Sequence, residues 1–135
     1  MTKTLNMDIE KGRKRFKNIV FYYLPPIAYM ALIFYLSSQS FEELQLPEIW
    51  NIDKVIHFIE YGILGILWFR ALNITIEKTQ IIIIIAFAIT FIYGISDEIH
   101  QYFVPNRNSS IYDAIADGFG AWVGIVLYRK IKAKK

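Results

Sequence analysis

The sequence Tyr93–Gly124, YGISDEIHQYFVPNRNSSIYDAIADGFGAWVG, places four carboxylates in a region that is otherwise apolar enough for a membrane. Its first hydrophobic run ends at Asp97 and Glu98. After a polar turn, its second hydrophobic run begins with Asp113 and Asp117, one helical turn apart. Charged side chains are rare in bilayer helices and usually mark a function. We therefore interpret the stretch as two membrane helices whose adjoining ends carry a polar site.

The composition of the whole chain indicates a membrane protein with a single domain. Of its 135 residues, 55% are hydrophobic and 20% are charged. Residues 19–40 contain no charge and are long enough, as a helix, to cross a hydrocarbon core of about 30 Å. This run is too long for a cleaved signal peptide, and no small-x-small cleavage site follows it. Because the chain has no cysteine, disulfides, a thiol nucleophile and a cysteine metal site are excluded.

Four hydrophobic segments predict an all-α fold, a bundle of four transmembrane helices. We place the helices at residues 19–40, 53–69, 81–101 and 110–128, of which the second is short for a span. We divide the chain into a basic cytoplasmic head at 1–18, a four-helix membrane domain at 19–128 and a basic cytoplasmic tail at 129–135. Residues 41–52 are predicted to lie at the membrane surface as a short amphipathic segment.

The distribution of basic residues predicts that both termini are cytoplasmic. Six lysines and arginines precede helix 1, two (Arg70 and Lys78) lie in the predicted loop between helices 2 and 3, and five follow helix 4. Lys54 and Arg107 alone fall on the other side, so the positive-inside rule places the loops after helices 1 and 3 outside the cell. A membrane surface accounts for this pattern better than nucleic acid does, and we expect no nucleic-acid partner.

Helix 2 is predicted to carry a polar stripe that starts at its outer end. Asp53, His57 and Glu60 lie on one face at 3.6 residues per turn, with Tyr61 beside them. In helix 3, Asp97 and Gln101 share a face, while Glu98 points to the side of it. We expect Glu98 to pair with Arg107 at the rim, and we take His100, on another face, as a packing residue.

Helix 4 is predicted to begin with a capping box. Ser110 and Asp113 have the S-x-x-D spacing that places an acid at the positive end of the helix. Asp117 lies one turn deeper on the same face, and Gly120 and Gly124 continue this face and would let another helix approach closely.

The three polar stripes reach the same depth, so we predict that they face one another in a pocket that opens outward. Exposure of five acids to lipid would be too costly. Lys54 and Arg107 would offset part of this negative charge, and the guanidinium of Arg107 suits a carboxylate or a phosphate. The candidate ligand-binding residues are Asp53, Lys54, His57, Tyr61, Asp97, Glu98, Gln101, Arg107, Asp113 and Asp117. The catalytic candidates are His57, Glu60, Asp97 and Asp113, and the metal candidates are His57, Asp97 and Asp113.

Several motifs of the chain form a pattern that is shared by one family. They are Ser37-Ser38-Gln39, Asp53-Lys54-x-x-His57-Phe58-x-x-Tyr61-Gly62, Ser96-Asp97-Glu98-x-x-Gln101-x-Phe103-x-Pro105-x-Arg107, and Asp113, Gly120, Ala121 and Gly124. Through them the sequence resembles the VanZ-like family of small membrane proteins over nearly all of the chain after the basic head. It departs from the family at Asn106, where glycine is usual, and at Asp117, where asparagine is usual. Asparagine also tolerates a left-handed turn, whereas Asp117 adds a negative charge to the pocket.

The resemblance implies a multi-pass protein of the bacterial cytoplasmic membrane. The family is named for a member that gives low-level teicoplanin resistance without rebuilding the peptidoglycan stem. A contribution to glycopeptide resistance is therefore one expectation for the chain, although the resemblance does not name its ligand.

Four interpretations of the polar residues stay open at the level of sequence. The first is a module that binds an envelope lipid, a lipid-linked cell-wall precursor or a glycopeptide. The second is an intramembrane enzyme that acts on a lipid headgroup, in which His57 with Asp97, Glu98 or Asp113 holds a divalent metal or forms an acid–base pair, although no H-E-x-x-H motif is present. The third is a proton- or cation-coupled transporter, which four spans without an inverted repeat support little. The fourth is a set of ion pairs that only fixes the packing of the helices.

Overall fold

The described part of the chain forms four α-helices and no strand. The computed structural model describes residues 2–39, 52–107 and 109–134, with side chains from residue 7 onward. The helices are α1 (Thr2–Ser37), α2 (Ile52–Leu72), α3 (Thr79–Tyr102) and α4 (Ile111–Ala133). Each is long and apolar enough to cross a membrane. The prediction of an all-α fold with four membrane helices is confirmed.

All four helices are longer than the sequence predicted. The basic head is helical and continuous with the first span, and Pro25 and Pro26 lie inside this helix. Helix α2 has 21 residues, so the prediction that it is short for a span is wrong. Arg70 lies in its last turn, not in a loop, and its guanidinium is 5.9 Å from the centre of the Tyr22 ring. The amphipathic segment predicted at 41–52 lies outside the described residues, apart from Ile52 at the start of α2.

The helices pack unequally. The most extensive contact joins α2 to α4, and α3 packs against both. Within the described residues, α1 contacts α2 and α3 but not α4. An apolar core fills the end of the bundle where α2 ends and α3 begins, and its buried residues are Phe69, Leu72, Ile82, Ala86 and Ile125.

Glycines let α2 and α4 meet backbone to backbone. A Cβ on Gly120 would overlap the carbonyl of Phe58, and one on Gly124 would overlap the carbonyl of Gly62. A Cβ on Gly65 would lie 3.0 Å from the carbonyl oxygen of Ala121. The predicted close approach at Gly120 and Gly124 is therefore confirmed. We call Gly62, Gly65, Gly120 and Gly124 the glycine seam.

Large apolar side chains cover the outside of the bundle. Ile84 and Ile92 on α3 are 67% and 65% exposed, and Phe119 on α4 is 61% exposed. In water such a surface would be costly, whereas acyl chains solvate it at no cost. The outer surface therefore fits a lipid bilayer.

Candidate functional site

The polar residues predicted to form a site gather at the end of the bundle opposite the apolar core. This end is formed by the start of α2, the end of α3 and the start of α4. Six of the polar side chains are buried, with at most 6% of each residue exposed. We call them the polar cluster: His57, Asp97, Glu98, Gln101, Asp113 and Asp117.

His57 is the centre of the polar cluster. Its Nδ1 lies 2.9 Å from Oδ1 of Asp117, in hydrogen-bond contact, and 3.7 Å from Oε1 of Glu98. The ring of Tyr61 is nearly parallel to the imidazole, with 6.3 Å between their centres. One residue from each of α2, α3 and α4 thus meets at a single point.

Gly94 on α3 provides the space that Asp117 occupies. A Cβ at this position would lie 2.9 Å from Oδ2 and 3.0 Å from Cβ of Asp117. Gly94 was not among the site residues predicted from the sequence. Its position one turn before Asp97, on a helix otherwise rich in large residues, was the signal that could have identified it.

Glu98 lies inside the polar cluster, so its predicted place at the rim is wrong. It is 6% exposed, and its Oε2 accepts a hydrogen bond from the backbone N–H of Ser110, at 2.8 Å. A carboxylate from α3 therefore binds the N-cap of α4, where its charge also interacts favourably with the helix dipole.

The predicted capping box is present in a modified form. Ser110 is the N-cap of α4, and its hydroxyl accepts from the N–H of Tyr112 at 3.2 Å. The carboxylate that accepts a hydrogen bond from the Ser110 N–H is that of Glu98, not Asp113. Asp113 instead lies 3.4 Å from Nζ of Lys54. Lys54 thus pairs with the polar cluster at its edge, and the lysine side chain remains 39% exposed.

A cavity of about 220 Å³ lies beside the polar cluster, between α1, α2 and α3. Ile33, Leu36, Ile52 and Ile56 contribute apolar wall. Its charged and amide-bearing walls are Asp53, His57, Glu60, Asp97, Gln101 and Arg107.

The walls of this cavity differ in exposure. Glu60 and Arg107 are half-buried, whereas Asp53 is exposed at the start of α2. Gln101 donates through Nε2 to Oδ2 of Asp97 at 3.0 Å, which holds that carboxylate in place. The structure therefore brings together the residues predicted for the site, with Tyr61, Glu98, Asp113 and Asp117 buried behind the cavity rather than lining it.

Four carboxylate oxygens in the polar cluster lack a hydrogen-bond partner among the described residues. They are Oδ1 of Asp97, Oε1 of Glu98, Oδ1 of Asp113 and Oδ2 of Asp117, of which Oδ1 of Asp113 lies 3.4 Å from Nζ of Lys54. A buried acceptor without a partner costs about 1–3 kcal/mol. A cluster that served packing alone would be expected to pair such atoms.

The described residues contain two groups that could hold a metal ion. One is His57, Glu98 and Asp117, and the other is Asp53, His57 and Asp113. The predicted combination of His57, Asp97 and Asp113 is not among them. His57 and Asp113 are thus both in the second group, and Asp97 is in neither.

Two further residues behave as the sequence analysis expected. The second histidine, His100, contacts the hydroxyl of Ser38 at 2.9 Å and stacks on Phe34, with 4.4 Å between ring centres. Asn106, in the turn after α3, has a φ of 61°, which is the left-handed conformation that asparagine tolerates better than most residues.

Comparison with known proteins agrees with this architecture. The protein-family model described as VanZ/LLP1 matches residues 6–132. No curated protein and no solved structure matches the chain.

Proposed function

Because the chain belongs to the VanZ/LLP1 family, we propose that this VanZ-like membrane protein binds the polar headgroup of an envelope lipid, either a phospholipid or a lipid-linked cell-wall precursor. The observation that carries the proposal is the cavity of about 220 Å³ between α1, α2 and α3. It joins a polar wall to an apolar one at the end of a membrane bundle, as an amphiphilic ligand requires.

The size of the cavity selects among the ligands considered. Sites for drug-sized molecules are usually about 300–1,000 Å³, so about 220 Å³ suits a headgroup rather than a whole glycopeptide. The apolar wall supplied by Ile33, Leu36 and Ile56 would contact the first carbons below the headgroup. A contribution to glycopeptide resistance would therefore not act through capture of the whole antibiotic in the cavity.

The charges of the cavity indicate a headgroup that contains both an amine and a phosphate. Asp53, Glu60 and Asp97 line it together with Arg107. Carboxylates favour an ammonium group, and a guanidinium binds phosphate through parallel hydrogen bonds. A zwitterionic headgroup can pair its ammonium with the carboxylates and its phosphate with the guanidinium. A purely anionic headgroup would be repelled by the three carboxylates.

The proposal places this cavity on the outer side of the bacterial cytoplasmic membrane. The support is the charge distribution, with 13 of the 15 lysines and arginines in the head, near the connection between α2 and α3, or at the C-terminal end of α4 and beyond it. The positive-inside rule then assigns both termini to the cytoplasm.

Lipid binding by paired arginine variants tests the proposal. The protein in nanodiscs is titrated with an amine-bearing phospholipid and with an anionic phospholipid that lacks the amine. We expect Arg107→Ala to weaken binding of the amine-bearing lipid at least about tenfold, or about 1.4 kcal/mol. Arg70→Ala is the matched control, because Arg70 lies on Tyr22 at the other end of α2. Equal losses in both variants would contradict the proposal.

The hydrogen bond between His57 and Asp117 supports a second candidate, acid–base chemistry on the bound headgroup. His57 lines the cavity, and its contact with Asp117 fixes which ring nitrogen remains for proton transfer. The two candidates are separated by Asp117→Asn. A headgroup-modifying enzyme would lose turnover of the bound lipid in this variant while it kept lipid affinity, and a binding module would show no turnover in either protein.

A further inference from the structure

We propose that His57, Glu98 and Asp117 form a binding site for one divalent transition-metal ion. The site lies between α2, α3 and α4, one ligand from each helix. It adds Asp117, which was not among the metal candidates chosen from the sequence. It does not depend on the headgroup proposal, which concerns the neighbouring cavity.

The ligand atoms are already grouped at the scale of a metal coordination sphere. Nδ1 of His57 is 2.9 Å from Oδ1 of Asp117 and 3.7 Å from Oε1 of Glu98. The possible ligand atoms all lie within 4.8 Å of one another. Around an ion with bonds of about 2.1 Å, two ligands are typically about 3.4 Å apart, so only small side-chain movements are needed.

Two of the four unpartnered carboxylate oxygens in the polar cluster belong to this group of residues. Oε1 of Glu98 and Oδ2 of Asp117 accept no hydrogen bond from the described residues, although both side chains are more than nine-tenths buried. The His57 imidazole can give its Nδ1 proton to one acceptor only. A divalent ion would neutralise both carboxylates at once, which a single proton does not.

The surrounding structure holds the ligands in fixed positions. Glu98 is oriented by the Ser110 N–H bonded to its other oxygen, as partners of metal-bound carboxylates commonly are. Asp117 fits into the space left by Gly94, and the glycine seam fixes the distance between α2 and α4. Such rigidity favours a defined coordination geometry over a diffuse attraction for cations.

The ligand types select the class of metal. One imidazole nitrogen with carboxylate oxygens suits Zn²⁺ or Mn²⁺, and the site offers no thiolate for softer ions. The alternative group of Asp53, His57 and Asp113 is less suitable, because Asp53 is exposed and Asp113 is paired with Lys54.

The test measures metal on the full chain purified in detergent. Chelator-treated protein is titrated with Zn²⁺ and with Mn²⁺, and the bound metal is quantified after desalting. We expect about one ion per chain, and at least about tenfold weaker binding in His57→Gln, Glu98→Gln and Asp117→Asn. The matched control is His100→Gln, which removes the other histidine of the chain and should retain the ion.

Three results would overturn the proposal. Wild-type protein with well under one ion per chain would show that protons alone balance the cluster. Equal loss in His100→Gln would show nonspecific binding. Loss in Asp113→Asn but not in Glu98→Gln would move the ion to the other group. Glu98→Gln keeps an oxygen for the Ser110 N–H, so its elution as folded protein makes the comparison valid. Arg107→Ala, which should lose lipid, should keep the metal.

Discussion

The glycine seam makes a graded prediction for alanine substitutions. At Gly120 a Cβ would overlap the backbone carbonyl of Phe58, and neither partner is the end of a flexible side chain that could move aside. Helices α2 and α4 must therefore separate in Gly120→Ala. A Cβ added at Gly62 would lie 3.3 Å from its nearest neighbour, the carbonyl oxygen of Gly120, and a Cβ added at Gly12 on α1 would have no neighbour within 4 Å.

These distances give an order of stability. Overpacking usually costs about 1–3 kcal/mol. We therefore expect the free energy of unfolding to fall by about 3 kcal/mol in Gly120→Ala and by about 1 kcal/mol in Gly62→Ala. Gly12→Ala should cost nothing or gain about 0.5–1 kcal/mol, because alanine favours a helix. The double variant of Gly120 and Gly124 should lose less than the sum of its parts, since one separation of the helices relieves both contacts.

The free energy of unfolding in mixed detergent micelles is the measurement, with tryptophan fluorescence as the signal. Gly12→Ala is the matched control, because it makes the same chemical change on an open helix face. The separation of α2 and α4 would also lengthen the contact between His57 and Asp117, so Gly120→Ala should lose the proposed metal affinity. If Gly120→Ala is as stable as Gly12→Ala, the backbone contact between α2 and α4 does not exist as described.

Three other predictions concern single features of the structure. Asn106 has positive φ, so Asn106→Val should lower the free energy of unfolding by about 1–2 kcal/mol while Asn106→Gly should not, and equal stability would contradict the left-handed turn. Glu98→Ala removes the acceptor for the Ser110 N–H, so amide exchange in the first turn of α4 should accelerate about fivefold, or about 1 kcal/mol, and Glu98→Gln should restore protection. Because the chain lacks cysteine, Ser109→Cys and Asn73→Cys are clean reporters of orientation. An impermeant maleimide applied to intact cells should label the first and not the second, and the opposite result would invert the proposed topology.

Much of the fold could be predicted because hydrophobic length and charge spacing are local properties. The four helices and the polar stripe of Asp53, His57 and Glu60 follow from such patterns, and the cavity contains all three residues. The end of α2 was misplaced because Arg70 was read as a loop residue, whereas an exposed arginine near a helix C-terminus also stabilises the helix.

The internal arrangement of the polar cluster could not be predicted, because it depends on how the helices rotate against one another. Helical spacing alone predicted that Glu98 lies at the rim. In the structure, its hydrogen bond from the Ser110 N–H holds it inside the polar cluster. Likewise, a capping box pairs two residues of the same helix. Nothing in the sequence indicated that Asp113 would instead pair with Lys54 on α2. Gly94 was overlooked because its role is to leave room for Asp117, a residue on another helix.

The glycine seam and the polar cluster occupy the same face of α4, where Asp113, Asp117, Gly120 and Gly124 follow one another at helical spacing. A substitution that changes the glycine seam therefore also changes the geometry of the polar cluster. In a scan of every substitution, the two glycines should be as intolerant as the two acids although they touch no ligand. If either glycine tolerated substitution, the polar cluster would function despite a changed distance between α2 and α4.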